Sequence, residues 1–322
     1  MGGSASQLDL ILSEELDRPA GEPAGILADE IRRRYGAGVA AILFYGSCLR
    51  RGSAEGVLDF YVLVDSYRAV HGSSVQALLG ALLPPNVLYC ESGAGESTLR
   101  AKCAVMTLED FARAASRRSL DSRVWARFCQ PAVLAWVRDE ETRREVIDAV
   151  ACATRTMVDR MRAWGPSTGA VQRVPAVELW TAAFRETYRA ELRSERPEVV
   201  EALAAGDAAR YQRVIREALR DLECAGRVHV REAGEMLELE YPRGARTRAR
   251  LAWRVRRPLA KTRAVLGLVK TAATFDDWVS YVLWKLERQS GERIQVSEAQ
   301  RRHPLLLGWP ILFRLLRRGV LR

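Results

Sequence analysis

Residues 44–65 read FYGSCLRRGSAEGVLDFYVLVD. Upstream, Ala40 to Tyr45 is a short apolar run of the length of a buried strand. It stops at Gly46-Ser47, where a glycine lets backbone approach a ligand closely and a following helix start can hold phosphate. The second run, Val57 to Val64, is β-branched, aromatic and aliphatic, with Asp59 inside it. A carboxylate in such a strand costs free energy unless something pairs with it. A divalent metal arriving with a nucleoside triphosphate is such a partner.

The chain has 322 residues, 48% of them hydrophobic. That is enough for a real core, in one large domain or two ordinary ones. The net charge is +10, mostly arginine, and the pI is about 9.6. Such a balance suits anionic partners, although a solvated arginine-rich surface explains it equally well. The six cysteines form no Cys-x-x-Cys pair, which points to a reducing compartment and away from structural zinc. The N-terminus lacks the order of a signal peptide. No uncharged run approaches the ~20 residues needed to span a bilayer.

Outward from the opening stretch, Leu8–Asp17 and Pro23–Tyr35 read as helices, the second stopped by Gly36. Val75–Leu83 reads as helix. Val87–Cys90 and Leu99–Met106 read as a strand pair, and Thr107 caps a helix through Asp110. These pieces make an α/β unit over 1–137. Asp139 to Leu222 is helical, broken by a loop near Gly165 to Val174. Arg227–Tyr241 reads as a hairpin turning at Ala233-Gly234, so 138–257 is expected to be a helical, winged-helix-like domain. The region 258–322 is expected to be basic, amphipathic and membrane-associating. The fold class is α+β.

Gly-Ser, about a dozen residues, then an acid on a strand is the order found at polymerase β-type nucleotidyltransferase sites. The common form has acids at i and i+2 on one strand face; here the second position is Tyr61. More residues match in order: Tyr45-Gly46-Ser47; Val57-Leu58-Asp59-Phe60; Val64-Asp65 with His71 beyond; Lys102-Cys103-Ala104-Val105-Met106-Thr107; Arg127 with Pro131; Glu178 to Arg189; and Thr262 to Lys270. Together they resemble the mitochondrial-type phosphatidate cytidylyltransferases, the mitochondrial translocator assembly and maintenance protein family. Cys48 and Ala104 stand where that family has glycines, and Thr187 where it has an acid.

The resemblance implies a polymerase β-like nucleotidyltransferase domain with a mixed sheet flanked by helices. It implies CTP and phosphatidic acid as substrates, Mg²⁺ as cofactor, CDP-diacylglycerol and pyrophosphate as products, and no nucleic acid. Asp59 is then the catalytic metal ligand. Lys102 serves triphosphate or phosphatidate. Tyr45, Gly46, Ser47, Arg127 and Arg189 bind nucleotide. Arg263 and Lys270, within the matched stretch, and Trp309, Phe313, Arg317 and Arg318, beyond it, are expected to meet the lipid surface, on the inner face of the cell membrane. The last four belong to a segment with apolar residues on one helical side and arginines on the other, as in a helix lying in an anionic membrane surface; a helix docked on the protein's own core shows the same pattern. Asp65 is about 20 Å beyond Asp59 along an extended strand and caps the next turn instead. Glu91 is a further candidate ligand, with a solvent-facing role the default. Two alternatives stay open: a nucleotidyltransferase acting on RNA, protein or a small molecule, and a non-catalytic nucleotide- or membrane-binding relative.

Overall fold

The computed structural model describes residues 6–70, 74–94, 97–164, 171–191, 197–233 and 236–274. Its first half runs α1 (Gln7–Leu16), α2 (Glu22–Tyr35), β1 (Val39–Tyr45), α3 (Ser47–Arg51), β2 (Val57–Val64), α4 (Ser74–Leu82), β3 (Asn86–Ala94), β4 (Ser97–Thr107), α5 (Leu108–Ala115), α6 (Trp125–Phe128) and β5 (Ala132–Val137). The second half runs α7 (Glu140–Met161), β6 (Val171–Pro175), α8 (Ala176–Ala190), α9 (Pro197–Ala205), α10 (Ala208–Cys224), β7 (His229–Ala233), β8 (Met236–Glu240) and α11 (Ala245–Thr274). The fold is α+β, built on a mixed five-stranded sheet flanked by helices.

That sheet has the order β3-β4-β2-β1-β5. β2 and β4 are parallel, and the other neighbours are antiparallel. β2 is the middle strand, which is why its sequence is apolar on both faces. Alternate residues serve different cores. Ile42, Phe44, Phe60, Val62, Cys103 and Val105 face α2, whose buried Ala24, Leu27, Ala28 and Ile31 follow helical spacing. Leu43, Tyr61, Leu63 and Met106 face the opposite helical layer and join a core that continues into α7, α8 and α10.

Local signals set the ends of these elements. Ser6 and Asp9 form a reciprocal capping box at the start of α1. Thr107 accepts from the Asp110 N–H at 3.1 Å and starts α5.

Several expectations are revised. β5 was not expected as a strand; it pairs with β1 from Ala41↔Val137 to Tyr45↔Ala132. Part of the segment expected as a loop, Val171–Pro175, is a strand that pairs with β8 and extends the expected hairpin to a three-stranded sheet, β6-β8-β7. Val174, Leu237 and Leu239 are buried there, and that burial overrides the loop-like composition just upstream. The expected boundary at 257/258 falls inside α11, which carries Pro258 within its length. Ala249, Trp253 and Ala260, on both sides of the proline, are buried in one core, so packing carries the helix through a residue that removes one of its bonds. Among the described residues no helix is long and apolar enough to cross a membrane.

Candidate functional site

The site begins where β1 stops. Gly46 has φ 93 and ψ −161, a region open essentially to glycine. A Cβ added there would lie 2.8 Å from Asp59 Oδ2. Gly46 therefore fits for two independent reasons: its backbone conformation and the carboxylate pressed against it. Ser47 opens α3, and the Arg50 N–H returns to the Gly46 carbonyl at 3.2 Å.

Across the sheet, Asp59 is in register with Tyr45 on β1 and with Lys102 on β4. Neighbouring strands lie about 4.8 Å apart and paired residues share a face. A carboxylate, an ammonium and a phenol ring thus line one end of one sheet face, each half-buried. The register of β2 with β4 thus brings Lys102 beside Asp59. Lys102 is also in register with Tyr89 on β3.

Behind Asp59 on the same face stands Tyr61, fully buried. Its ring meets Tyr45 at 5.4 Å and Phe128 at 5.0 Å, edge-on in both cases, and Phe111 at 6.0 Å. Burial pushes its phenol pKa up, although Arg127 and Arg123 pull the other way. The position two residues after Asp59 is therefore an aromatic wall. Asp65, at the far end of β2, pairs with Arg138 at 2.7 Å, and Glu91 accepts from Tyr89 at 2.6 Å and Arg100 at 3.2 Å. Among the described residues no group of three or more His, Cys, Asp or Glu side chains could hold a metal. What Asp59 offers a Mg²⁺ ion is one carboxylate, and a triphosphate would have to bring other oxygens.

Cys48 does not crowd the front of the loop. Its thiol is buried beneath it, donating to the carbonyls of Val57 at 3.5 Å and Glu55 at 3.8 Å. Burial raises its pKa; Arg51 works against this and Asp59 adds to it. The thiol ties the return of the chain into β2.

Arg127 lies on α6 in a largely buried setting. It donates to the Arg123 carbonyl at 2.6 Å and pairs with Glu191 at 3.2 Å. Burial would lower its pKa, but Glu191, Tyr61 and Tyr45 hold it high. It thus neighbours the Tyr45 corner while committed to an internal pair. Arg189 is exposed and pairs with Glu186 of its own helix at 3.3 Å. Arg263 lies 3.6 Å from Asp121. Lys270 is buried, not at a surface: its ammonium donates to the carbonyls of Leu83 and Pro85 and, at 2.6 Å, to Asn86. His71, Trp309, Phe313, Arg317 and Arg318 lie outside the described residues.

The chain matches no family profile and no curated protein. The geometry at Gly46, Asp59 and Lys102 is therefore the ground for a functional reading.

Sequence reasoning missed the Asp121–Arg123 pair, joined at 2.6 Å, and its neighbour Glu191, which the Ser122 hydroxyl meets at 2.9 Å. The turn itself was legible, because Asp121 accepts the backbone N–H two residues on. Glu191 is 69 residues away from Ser122 in sequence, and nothing local announces it.

Proposed function

We propose that the chain is a nucleotidyltransferase of the polymerase β-like type, making CDP-diacylglycerol from CTP and phosphatidic acid at an anionic membrane surface. The observation that carries the reading is the contact of Gly46 with Asp59, with Lys102 in register beside it. A glycine loop pressed on a strand carboxylate is the arrangement needed to bring a triphosphate's backbone-held oxygens next to an acid. The order of residues from Leu43 to Lys270, which resembles the mitochondrial-type phosphatidate cytidylyltransferases, narrows the class to CTP and phosphatidate.

In this reading Asp59 would hold a Mg²⁺ ion, which would supply neutralisation of the triphosphate's charge. Gly46 and Ser47 present backbone N–H groups to the phosphates. Lys102 adds a compact cation on the same sheet face. The phosphatidate phosphate has a second pKa of about 6, so its oxygen is already anionic near neutral pH. That oxygen forms a bond to the α-phosphorus of CTP as the bond from that phosphorus to the bridging oxygen breaks. Pyrophosphate leaves with the electron pair, and no proton has to be removed from the nucleophile. This suits a site where, among the described residues, Asp59 is the acid in register with Tyr45 and Lys102.

Membrane association is supported by α11. Leu251, Val255, Leu259 and Leu266 are exposed large hydrophobics. At about 100° per residue they fall within one helical face. The exposed Arg248 lies on the same face, and an apolar face carrying a cation is the combination of an interfacial helix.

Tyr61 favours a second reading, a nucleotide-binding relative without catalysis, because a buried aromatic stands where a second acid is common. One experiment separates the two. Purified protein is incubated with phosphatidate vesicles, Mg²⁺ and each labelled nucleoside triphosphate in turn. Formation of CDP-diacylglycerol from CTP, lost in Asp59→Asn with an unchanged melting curve, is expected. Nucleotide binding without a lipid-linked product from any of the four would decide for the second reading.

A further inference from the structure

A second charged concavity lies elsewhere in the molecule. It is a cleft of about 420 Å³ between the C-terminal end of α7, the turn from α10 into β7, and the start of α11. Arg160, Arg162, Arg227, Arg248 and Arg256 all line it. None of the residues around Asp59 does.

Acid compensation in the cleft is sparse. Asp159 has a side chain 2% exposed, and it is already taken by Arg227, at 2.8 and 3.1 Å in a two-pronged contact, and by Arg162 at 3.1 Å. Arg160 is buried and gives one arm to the Arg117 carbonyl. The Nε atoms of Arg160, Arg162 and Arg256 are buried without a hydrogen-bond partner. Burying a guanidinium N–H unpaired is costly, so a native structure usually supplies an acceptor. Burial, with Arg256 close by, holds the Arg160 pKa down to about 10. Burial also lowers Arg162 and Arg256. The cations of this cleft crowd one another.

From this arrangement we infer that the cleft is a binding site for a phosphate group, with Arg160, Arg248 and Arg256 as its principal donors and Asp159 as the internal brace that fixes Arg162 and Arg227. Three observations select phosphate. The surplus of charge calls for a multiply charged anion. Guanidinium forks match phosphate oxygens in pairs. The concavity suits a compact group, whereas a polynucleotide needs an extended track. The ligand is a free phosphate or diphosphate, or the headgroup of an acidic phospholipid. The exposed Leu251, Val255 and Leu259 lie on the same side of α11 as Arg248 and bear on the second source. The inference does not depend on the chemistry at Asp59.

The test uses the full chain without nucleotide. Binding of pyrophosphate is measured by calorimetry, and binding to phosphatidate-containing vesicles against phosphatidylcholine vesicles by sedimentation. The double variant Arg248→Gln/Arg256→Gln is compared with Arg254→Gln, which removes an exposed charge of α11 outside the cleft. We expect the double variant to weaken at least one of the two interactions about tenfold or more, the size of a lost charge-assisted hydrogen bond, with Arg254→Gln near wild type. Loss with pyrophosphate identifies a soluble source, and loss with vesicles alone a lipid headgroup. If the double variant does not fold, the exposed Arg248→Gln alone makes the same comparison. A folded variant that binds both probes as wild type does, or a wild-type protein that binds neither, overturns the inference.

Discussion

Gly46 and Asp59 are the pair on which the candidate site rests, and each can be tested alone. Gly46→Ala forces a Cβ into a conformation that only glycine adopts readily and against the carboxylate. It should cost about 1–3 kcal/mol of stability and displace the loop, so that nucleotide binding falls more than the melting temperature alone would explain. Equal nucleotide affinity in the variant would show that the loop is an ordinary turn. Lys102 makes a separate prediction. Lys102→Ala should lower cytidylyl transfer about 10²-fold, the scale for loss of one electrostatic donor. Lys102→Arg should not restore it, because a planar fork is not a compact ammonium. Unchanged kinetics for both CTP and phosphatidate in Lys102→Ala would remove the residue from the mechanism.

At the scale of elements, α11 carries three different surfaces. Its inner side is anchored by Trp253, whose ring meets Trp164 at 4.8 Å and whose Nε1 donates to Glu186 at 3.0 Å. Its end is pinned by Lys270 to the chain between Leu83 and Asn86. Its outer side exposes the apolar row. Val255→Asp with Leu259→Asp should reduce sedimentation with acidic vesicles while leaving the fold intact, and high salt should weaken the wild-type interaction. Undiminished sedimentation of the double variant would move membrane contact away from α11. Lys270 gives a pH test. Burial, and secondarily Arg123, lowers its pKa from 10.5 to about 8. Between those values the unfolded chain keeps a proton that the folded chain releases, so stability rises with pH there. Wild type should therefore gain stability relative to Lys270→Met from about pH 8 upward, measured by denaturant unfolding across that range. Parallel curves for the two proteins would show that the amine keeps its proton in the fold.

For the molecule as a whole, the decisive long-range tie is Glu15 on α1 with Arg210 on α10. Both side chains are buried, 4% and 5% exposed. Arg210 meets the carboxylate through Nε and Nη2 at 2.8 to 3.0 Å and gives Nη1 to the Cys129 carbonyl at 3.1 Å. One guanidinium thus joins the N-terminal helix, the later helical layer and the turn before β5. Removing one partner strands the other charge in the core, which costs about 3–5 kcal/mol. Glu15→Ala should show that loss in chemical denaturation. A loss below 1 kcal/mol, roughly the worth of an exposed pair, would mean that water reaches Arg210.

The sequence by itself determined the parts whose signals are local. β2 is legible because a run of β-branched and aromatic residues has few other uses. α2 is legible from its apolar spacing and from Gly36, which lies at φ 66. Gly46-Ser47 and Asp59 were recognisable as a motif because a glycine and a buried-strand acid are costly unless used. Tertiary structure alone decided the rest. β5 and β6 are strands because partners in β1 and β8 lie beside them. Lys102 faces Asp59 because β4 lies parallel to β2, a pairing no local pattern states. Lys270 and Arg127 show the same limit from the other side. A basic residue reads as surface in sequence, yet each of these is held inside by acceptors that only the fold brings near: three oxygens of residues 83–86 for Lys270, and Glu191 for Arg127. Contacts made over long sequence separations leave no periodicity behind, so the arginine cleft and the Glu15–Arg210 pair were invisible until the chain was folded.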